Sequence, residues 1–280
     1  MIAGTAEVLA PTEKGKRARI EMPAVTFLDR GARYKHLLGR AKDMPPALMA
    51  VALVLVRAGR AEALIKGSPH TDELMAEVVA NGTGLRTGRR VSHVFFADVP
   101  TYPHTLLITD AAINIDLILD DKVDFVQNAI DLAHILGVLE PKVAILAAVE
   151  TVTAKMLATL DASAPCKMAD RDQIIGGILD GPLAFDNAVS MVAANTKGIR
   201  PALAWRADIL VVQDLESGNM LAKQLEYLAD TLLAGVVVGA SVPIVLTRRA
   251  DSAEARAASC AIALLMANAK RKPRELNGRR

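Results

Sequence analysis

The sequence predicts an α/β protein in which parallel strands and one antiparallel pair form a mixed sheet covered by helices. Hydrophobic residues make up 52% of the 280 residues and aromatic residues only 3%. The core must therefore be built from Ala, Leu, Val and Ile, as in sheets that are buried on both faces. Short aliphatic runs also alternate with longer amphipathic segments, which is the pattern of strand–helix–strand units. The length suffices for one large domain or two smaller ones.

The opening residues differ from the α/β pattern that follows them. "GTAEVLAP" alternates like a strand, and "TEKGKRARIEMP" has the composition of a polar, flexible linker. Helices are then predicted over "RYKHLLGRAK" and "PPALMAVALVLVRAG", and a short strand over "AEALIKG".

"HTDELMAEVVANG" predicts the next helix, which Thr71 caps and Gly82 ends. Leu74, Val78 and Val79 are expected to share its buried face. "SHVFFADVP" and "TLLITDAA", joined by "TYPH", suit an antiparallel pair of strands.

The rest of the chain continues the alternation. "KVDFVQNAIDLAHILGV" predicts an amphipathic helix, and "KVAILAAV" and "ADILVVQDL" predict strands. "GNMLAKQLEYLADTLLAGVVVGA" supplies a further helix and strand, and "PIVLT" supplies the last strand.

Composition excludes several classes of protein. Cys166 and Cys260 provide neither a disulfide framework nor metal-ligand spacing, and such sparse cysteine favours a cytoplasmic location. The longest apolar run, "LLAGVVVGASVPIVL", is too short and too interrupted to span a bilayer, and no signal-peptide pattern opens the chain. Residues 270–280 carry six basic residues and one acidic residue without interleaved aromatic residues, so we expect no nucleic-acid partner and no membrane partner.

Polar groups that follow the predicted strands are candidate ligand contacts, because open α/β sheets bind ligands beyond the carboxyl ends of their strands. Many of these residue types also cap helices or shape turns, and Gly181-Pro182 is interpreted as a turn. The adjacent arginines of "IVLTRRADS" should point to opposite faces, so that one guanidinium faces inward and needs an anionic partner such as phosphate. The candidates are Lys66, Gly67, His70, Thr71, Asp110, Asn114, Asp180, Asp186, Asn187, Asp214, Asn219, Arg248 and Arg249.

Common cofactor signatures are missing from the sequence. "GTGLRTG" follows a predicted helix rather than a strand and lacks the spacing of a dinucleotide-binding loop. Neither a phosphate-binding loop ending in Gly-Lys-Ser/Thr nor a His-Glu-x-x-His motif occurs. We therefore expect no tightly bound cofactor and no metal.

Eight segments together resemble the phosphate acetyltransferase/butyryltransferase family, in order from Glu62 to Ala267. They are "EALIKGSPHTDEL", "SHVFFADVP", "LLITDAAINI", "EPKVAILAAVETV", "CKMADRDQI", "GGILDGPLAFDNAVS", "ADILVVQDLESGNMLAKQLEYLA" and "VVVGASVPIVLTRRADSAEAR". The resemblance implies a two-subdomain fold of the isocitrate/isopropylmalate dehydrogenase type, a homodimer, and an active site in the interdomain cleft. It also implies reversible acyl transfer between CoA and inorganic phosphate by direct displacement in a ternary complex.

The resemblance implies roles for the residues around the last strand. Arg249 occupies the position of an arginine that binds phosphate, and Arg248 stands where members carry serine. The base for the CoA thiol is Asp251 or Glu254, with Asp251 preferred. The other candidates match loops that border the cleft in the family.

Departures from the family pattern suggest an alternative. The first subdomain is shortened between Arg40 and Val54, Gln213 replaces a proline, Trp205 replaces a small residue, and Pro69 replaces an aliphatic one. Arg248 and the shortened first subdomain favour a catalytically impaired acyl-CoA-binding or dimerising domain as the second hypothesis, ahead of a nicotinamide-dependent dehydrogenase with the same fold.

The opening segment "GTAEVLAPTEK" resembles the last strand of an enoyl-CoA hydratase domain found fused upstream of such transferases. We predict a linker with this remnant over residues 1–30, a first subdomain over 31–84 and 237–280, and a second subdomain over 85–236.

Overall fold

The structure, a computed structural model, describes residues 8–11, 17–20, 26–28, 45–66, 70–115, 118–199, 206–248 and 251–277. The chain divides into unit 1 (Met1–Thr87 and Ala240–Arg280) and unit 2 (Gly88–Gly239). The predicted helix over "RYKHLLGRAK" lies outside the described residues. In chain order the elements are β1 (Val8–Pro11), β2 (Arg17–Ile20), β3 (Thr26–Leu28), α1 (Pro45–Arg57), β4 (Leu64–Lys66), α2 (Thr71–Val78), β5 (Ser92–Asp98), β6 (Leu106–Thr109), α3 (Leu119–Ile135), β7 (Lys142–Leu146), α4 (Leu157–Ala169), β8 (Ile178–Leu183), α5 (Phe185–Val189), α6 (Met191–Thr196), β9 (Ile209–Val211), α7 (Leu215–Leu228), β10 (Leu232–Val238), β11 (Ile244–Leu246) and α8 (Ala253–Asn277).

Unit 1 contains a parallel arrangement of β3, β4 and β11, with β4 between the other two. Leu64 of β4 and Ile244 of β11 are completely buried, as expected for strands covered on both faces. β1 and β2 form a separate antiparallel pair. The predicted flexible linker is therefore wrong over Arg17–Ile20, because this segment pairs with β1 as a strand.

Unit 2 contains a six-stranded arrangement in the order β10, β5, β6, β9, β7, β8. The pairs β6–β9, β9–β7 and β7–β8 are parallel. β5 runs antiparallel to β6, which confirms the predicted pair, and also antiparallel to β10. The predicted α/β class with a mixed sheet is confirmed.

Helix α3 covers this arrangement through an amphipathic face. Phe125, Val126, Ala129, Ile130 and Ala133 are all buried, and they recur at the three- and four-residue spacing of one helix face. The predicted helix over this segment is confirmed.

The interpretation of Gly181-Pro182 as a turn is wrong, because both residues lie within β8. β8 is the edge strand of its sheet, where a missing backbone N–H is tolerated. A Cβ atom on Gly181 would lie 2.9 Å from the carbonyl oxygen of Ala162 and 2.9 Å from Cβ of Ile145. Glycine therefore allows α4 and β7 to pack closely against this strand.

Helix α2 differs from its prediction at both ends. His70 precedes the helix and Thr71 is its first residue, so Thr71 is not the cap. Val79 follows the last helical residue and is 41% exposed, whereas Met75 is buried. Val79 leaves the helical periodicity because the helix ends at Val78.

Within the described residues, none of the helices combines the length and the hydrophobicity that crossing a membrane requires.

Candidate active site

The paired arginines that the sequence identifies as candidate anion ligands, Arg248 and Arg249, follow strand β11 in the chain. Thr247 Oγ1 donates a hydrogen bond to the carbonyl oxygen of Lys66 at 2.6 Å, so the carboxyl ends of β11 and β4 are tied together. Lys66 itself is buried. Arg249, the predicted phosphate ligand, and Gly67 lie outside the described residues.

Arg248 and Asp251 are joined by hydrogen bonds just before α8. The backbone N–H of Arg248 donates to Asp251 Oδ2 at 2.7 Å, and Arg248 Nε donates to Asp251 Oδ1 at 2.8 Å. The sequence predicts phosphate as an anionic partner for one of the two arginines, and Arg248 has a carboxylate partner three residues further along the chain. Both groups lie just before the N-terminus of a long helix, where anions are favoured.

The other described candidates of unit 1 lie at the starts of helices α2 and α8. Glu254 is exposed in the first turn of α8. His70 is exposed before α2, where its backbone N–H donates to Glu73 Oε2 at 3.2 Å. Thr71 begins α2. Unit 1 therefore places Lys66, Arg248, Asp251 and Glu254 at strand ends or helix starts.

In unit 2, the loop after β6 is built around Asp110, which is completely buried. Its Oδ1 accepts from the N–H groups of Ala112 and Ile113 at 3.0 and 3.2 Å, and its Oδ2 accepts from the backbone N–H and Nδ2 of Asn114. Burial raises the pKa of Asp110, and the hydrogen bonds from the N–H of Ala112, Asn114 Nδ2 and the N–H of Ile113 act in the opposite direction. Arg90 Nε donates to Asn114 Oδ1 at 3.1 Å.

A second polar group lies beyond the carboxyl ends of β7 and β8. Asn187 is completely buried, and its Nδ2 donates to Glu150 Oε1. Lys197 Nζ lies 2.7 Å from the same Glu150 oxygen and 3.6 Å from Asp186 Oδ2. We call Glu150, Asp186, Asn187 and Lys197 the Asn187 cluster. Asp180 is not among them: it lies within β8 and its Oδ1 accepts from the N–H of Gly181.

A third group lies at the end of β9. Lys122 is 1% exposed, and its Nζ donates to Gln213 Oε1 at 2.8 Å and to Asp161 Oδ2 at 3.3 Å. Gln213 Nε2 in turn donates to the carbonyl oxygen of Leu146 at the end of β7. Burial lowers the pKa of Lys122, and the carboxylates of Asp161 and Asp214 offset part of this effect.

Asp214 and Asn219 hold the start of α7. Asp214 caps the helix, because its Oδ1 accepts from the N–H of Ser217 at 2.7 Å. Asn219 Nδ2 donates to the carbonyl oxygen of Ala111 at 3.3 Å, so α7 is joined to the loop after β6. The capping role considered for Asp214 is confirmed.

The structure thus brings together Asp186 with Asn187, Asp110 with Asn114, and Arg248 with Asp251. Sequence reasoning missed Glu150, Lys197 and Lys122. Glu150 directly follows the predicted strand "KVAILAAV", so its position could have identified it as a candidate. The two lysines do not follow a predicted strand, and no sequence pattern identifies them. Among the described residues, no group of His, Cys, Asp and Glu side chains is arranged to hold a metal ion.

Comparisons with known proteins show which family the chain resembles. The family model described as phosphate acetyl/butaryl transferase matches residues 5–264. A phosphate acetyltransferase of Rhizobium meliloti is 57% identical over 253 residues, which cover 89% of this chain and 80% of that protein. A phosphate acetyltransferase of Rickettsia felis is 56% identical over 218 residues, and the chain spans 62% of its length. The crystal structure of a branched-chain phosphotransacylase from Enterococcus faecalis superposes with a TM-score of 0.73 at 33% identity, covering 79% of each chain.

Proposed function

Because the chain belongs to the phosphate acetyl/butyryl transferase family, we propose that it transfers a short acyl group reversibly between CoA and inorganic phosphate. The observation that carries this proposal is the 57% identity to the Rhizobium acetyltransferase over 89% of the chain. The alternative hypothesis of a catalytically impaired domain receives no support from the comparisons. Acyl-CoA and phosphate are then the substrates, and no tightly bound cofactor is required.

In the proposed reaction a phosphate oxygen attacks the thioester carbonyl carbon. A carbon–oxygen bond forms, the carbon–sulfur bond breaks, and the CoA thiolate takes up a proton. In the reverse direction a base removes that proton, and the thiolate attacks the acyl phosphate. The reaction therefore needs an anion site for phosphate and a carboxylate near the thiol.

We assign the anion site to the carboxyl ends of β4 and β11. Lys66 and Arg248 contribute positive charge there, the N-terminus of α8 favours an anion, and Arg249 is the proposed phosphate ligand. Since both Asp251 oxygens accept hydrogen bonds from Arg248, Asp251 fits a positioning role. Glu254, exposed in the first turn of α8, is then the carboxylate with room to take the thiol proton.

Direct transfer, without an acyl-cysteine intermediate, agrees with the raised pKa of both cysteine thiols. Burial and the nearby Asp180 and Asp170 carboxylates raise the pKa of the Cys166 thiol to about 12. Burial also raises the pKa of Cys260. Because the thiolate is the nucleophile, neither residue is prepared to accept the acyl group.

Assembly, location and descent remain part of the proposal. A homodimer in the cytoplasm, acting on small-molecule substrates, fits the family resemblance and the cysteine usage. Descent from a fusion with a hydratase rests only on the opening segment "GTAEVLAPTEK".

The test is phosphate-dependent release of CoA from acetyl-, propionyl- and butyryl-CoA by the starting protein and by Arg248→Ser. We expect both to release CoA, with the rates of the variant and the starting protein within about tenfold of each other, because Lys66 and the proposed phosphate ligand Arg249 still supply positive charge to the anion site. Arg60→Ser, at an exposed arginine in unit 1, is the matched control.

Two outcomes would contradict these assignments. If neither protein releases CoA, the impaired-domain hypothesis is favoured. If Arg248→Ser releases CoA and the starting protein does not, the arginine blocks the site.

A further inference from the structure

The Asn187 cluster contains a buried hydrogen-bond acceptor with no partner. Asn187 is 0% exposed, and its Nδ2 donates to Glu150 Oε1. Its Oδ1, the other branch of the same carboxamide, has no hydrogen-bond partner among the described residues. A buried polar atom without a partner is uncommon and costly, so its surroundings indicate what is missing.

Glu150 fixes which branch of the carboxamide is left over. If the carboxamide were reversed, its oxygen would face the carboxylate of Glu150, and two acceptors would be in contact. Lys197 Nζ contacts the same Glu150 oxygen at 2.7 Å and so favours the ionised carboxylate as the acceptor. The side-chain oxygen of Asn187 is therefore the atom that needs a donor.

The charge of the cluster restricts the kind of donor. Glu150 and Asp186 carry two negative charges against one positive charge on Lys197, so the net charge of −1 disfavours a phosphate group. A neutral N–H group is favoured instead. The position, beyond the carboxyl ends of the adjacent parallel strands β7 and β8, is where α/β sheets bind ligands.

We propose that Asn187 Oδ1 accepts a hydrogen bond from an amide N–H of the pantetheine arm of acyl-CoA, with Glu150 as the residue that orients it. This inference rests on the proposed function, because acyl-CoA is the substrate that carries amide N–H groups. Inorganic phosphate offers only O–H donors on an anion. Asn187 is thus a substrate contact and Glu150 a positioning residue.

The experiment compares acetyl-CoA with S-acetyl-2-mercaptoethanol, a thioester without amide groups, in the full chain. For Asn187→Ala we expect the ratio of kcat/KM for acetyl-CoA to kcat/KM for the small thioester to fall about fivefold, as for loss of one hydrogen bond. Glu150→Ala, at a partly exposed position, should lower the same ratio of kcat/KM values. This variant replaces Asn187→Ala in the comparison if Asn187→Ala does not fold. Asn195→Ala, at an exposed asparagine in α6, should leave the ratio unchanged.

The outcomes separate a direct contact from a structural role. Equal losses for the two thioesters would overturn the proposal, because a distorted fold affects both. An unchanged ratio, or a change confined to the KM of phosphate, would overturn it as well. If the starting protein releases no CoA at all, the proposed function fails, and the same variants are compared for binding of CoA by calorimetry. A fivefold weaker CoA Kd in Asn187→Ala would then support the contact, and an equal Kd would overturn it.

Discussion

At the residue scale, Asp110 illustrates a buried carboxylate whose oxygens are both in use. It accepts hydrogen bonds from three backbone N–H groups and from Nδ2 of Asn114. These bonds stabilise the loop after β6, which also contacts α7 through Asn219. A substrate contact at Asp110 remains a prediction, and the loop geometry is what the residue provides in this structure.

We expect Asp110→Asn to lower the free energy of unfolding by about 1–3 kcal/mol, because one branch of the new carboxamide would present an NH₂ group to N–H donors. Urea denaturation followed by circular dichroism measures the change. Asp98→Asn, at an exposed position at the end of β5, is the matched control. Equal midpoints for the two variants would contradict the role given to Asp110.

The same residues show what sequence can and cannot predict about the site. Asp110 and Arg248 were identifiable because each follows a run of aliphatic residues predicted as a strand, whereas Asn187 was singled out beside Gly181-Pro182, which was interpreted as a turn. Their partners differ in predictability: Asp251 lies within the motif of Arg248, whereas Glu150 is 37 residues from Asn187 along the chain. Only the strand order, which places β7 beside β8, brings the latter pair together.

At the element scale, most strands and long helices were predictable, whereas β2, β8 and the short or irregular helices were not. The aliphatic runs of β7 and β10 and the apolar stripe of α3 leave few alternatives. Helix α4 was missed because it contains Pro165, a residue that ordinarily ends or kinks a helix. Helices α5 and α6, with five and six residues, are too short for a periodic pattern to identify.

Helix α7 offers a test at this scale through its cap. Asp214→Ala removes the acceptor for the N–H of Ser217, and we expect the unfolding free energy to fall by about 1 kcal/mol. Thermal melting of this variant is compared with that of Lys223→Ala, which changes an exposed residue within the same helix. A loss no larger than that of Lys223→Ala would show that the cap contributes little.

At the scale of the whole molecule, apolar side chains at the surface of unit 1 favour association. Val51 and Val54 lie one turn apart on α1 and are 57% and 61% exposed. The resemblance to the family implies that elements are missing between Arg40 and Val54, and removal of neighbouring elements exposes apolar faces.

We therefore expect the chain to form species larger than a dimer as its concentration rises, and Val51→Lys combined with Val54→Lys to reduce them. Light scattering after size exclusion measures the mass, and Val152→Lys, at an exposed valine of unit 2, is the control. A monodisperse dimer with a sharp melting transition in the starting protein would contradict this expectation.

The buried amine of Lys122 has a consequence for how the sequence can vary over evolutionary time. It joins Asp161 of α4 to Gln213, which in turn reaches the end of β7. A substitution at one of these positions would leave a buried charge or amide unmatched, so each is constrained by the identity of the others. We therefore expect positions 122, 161 and 213 to vary together, so that a chain with another residue at 213 satisfies the lysine differently or replaces it.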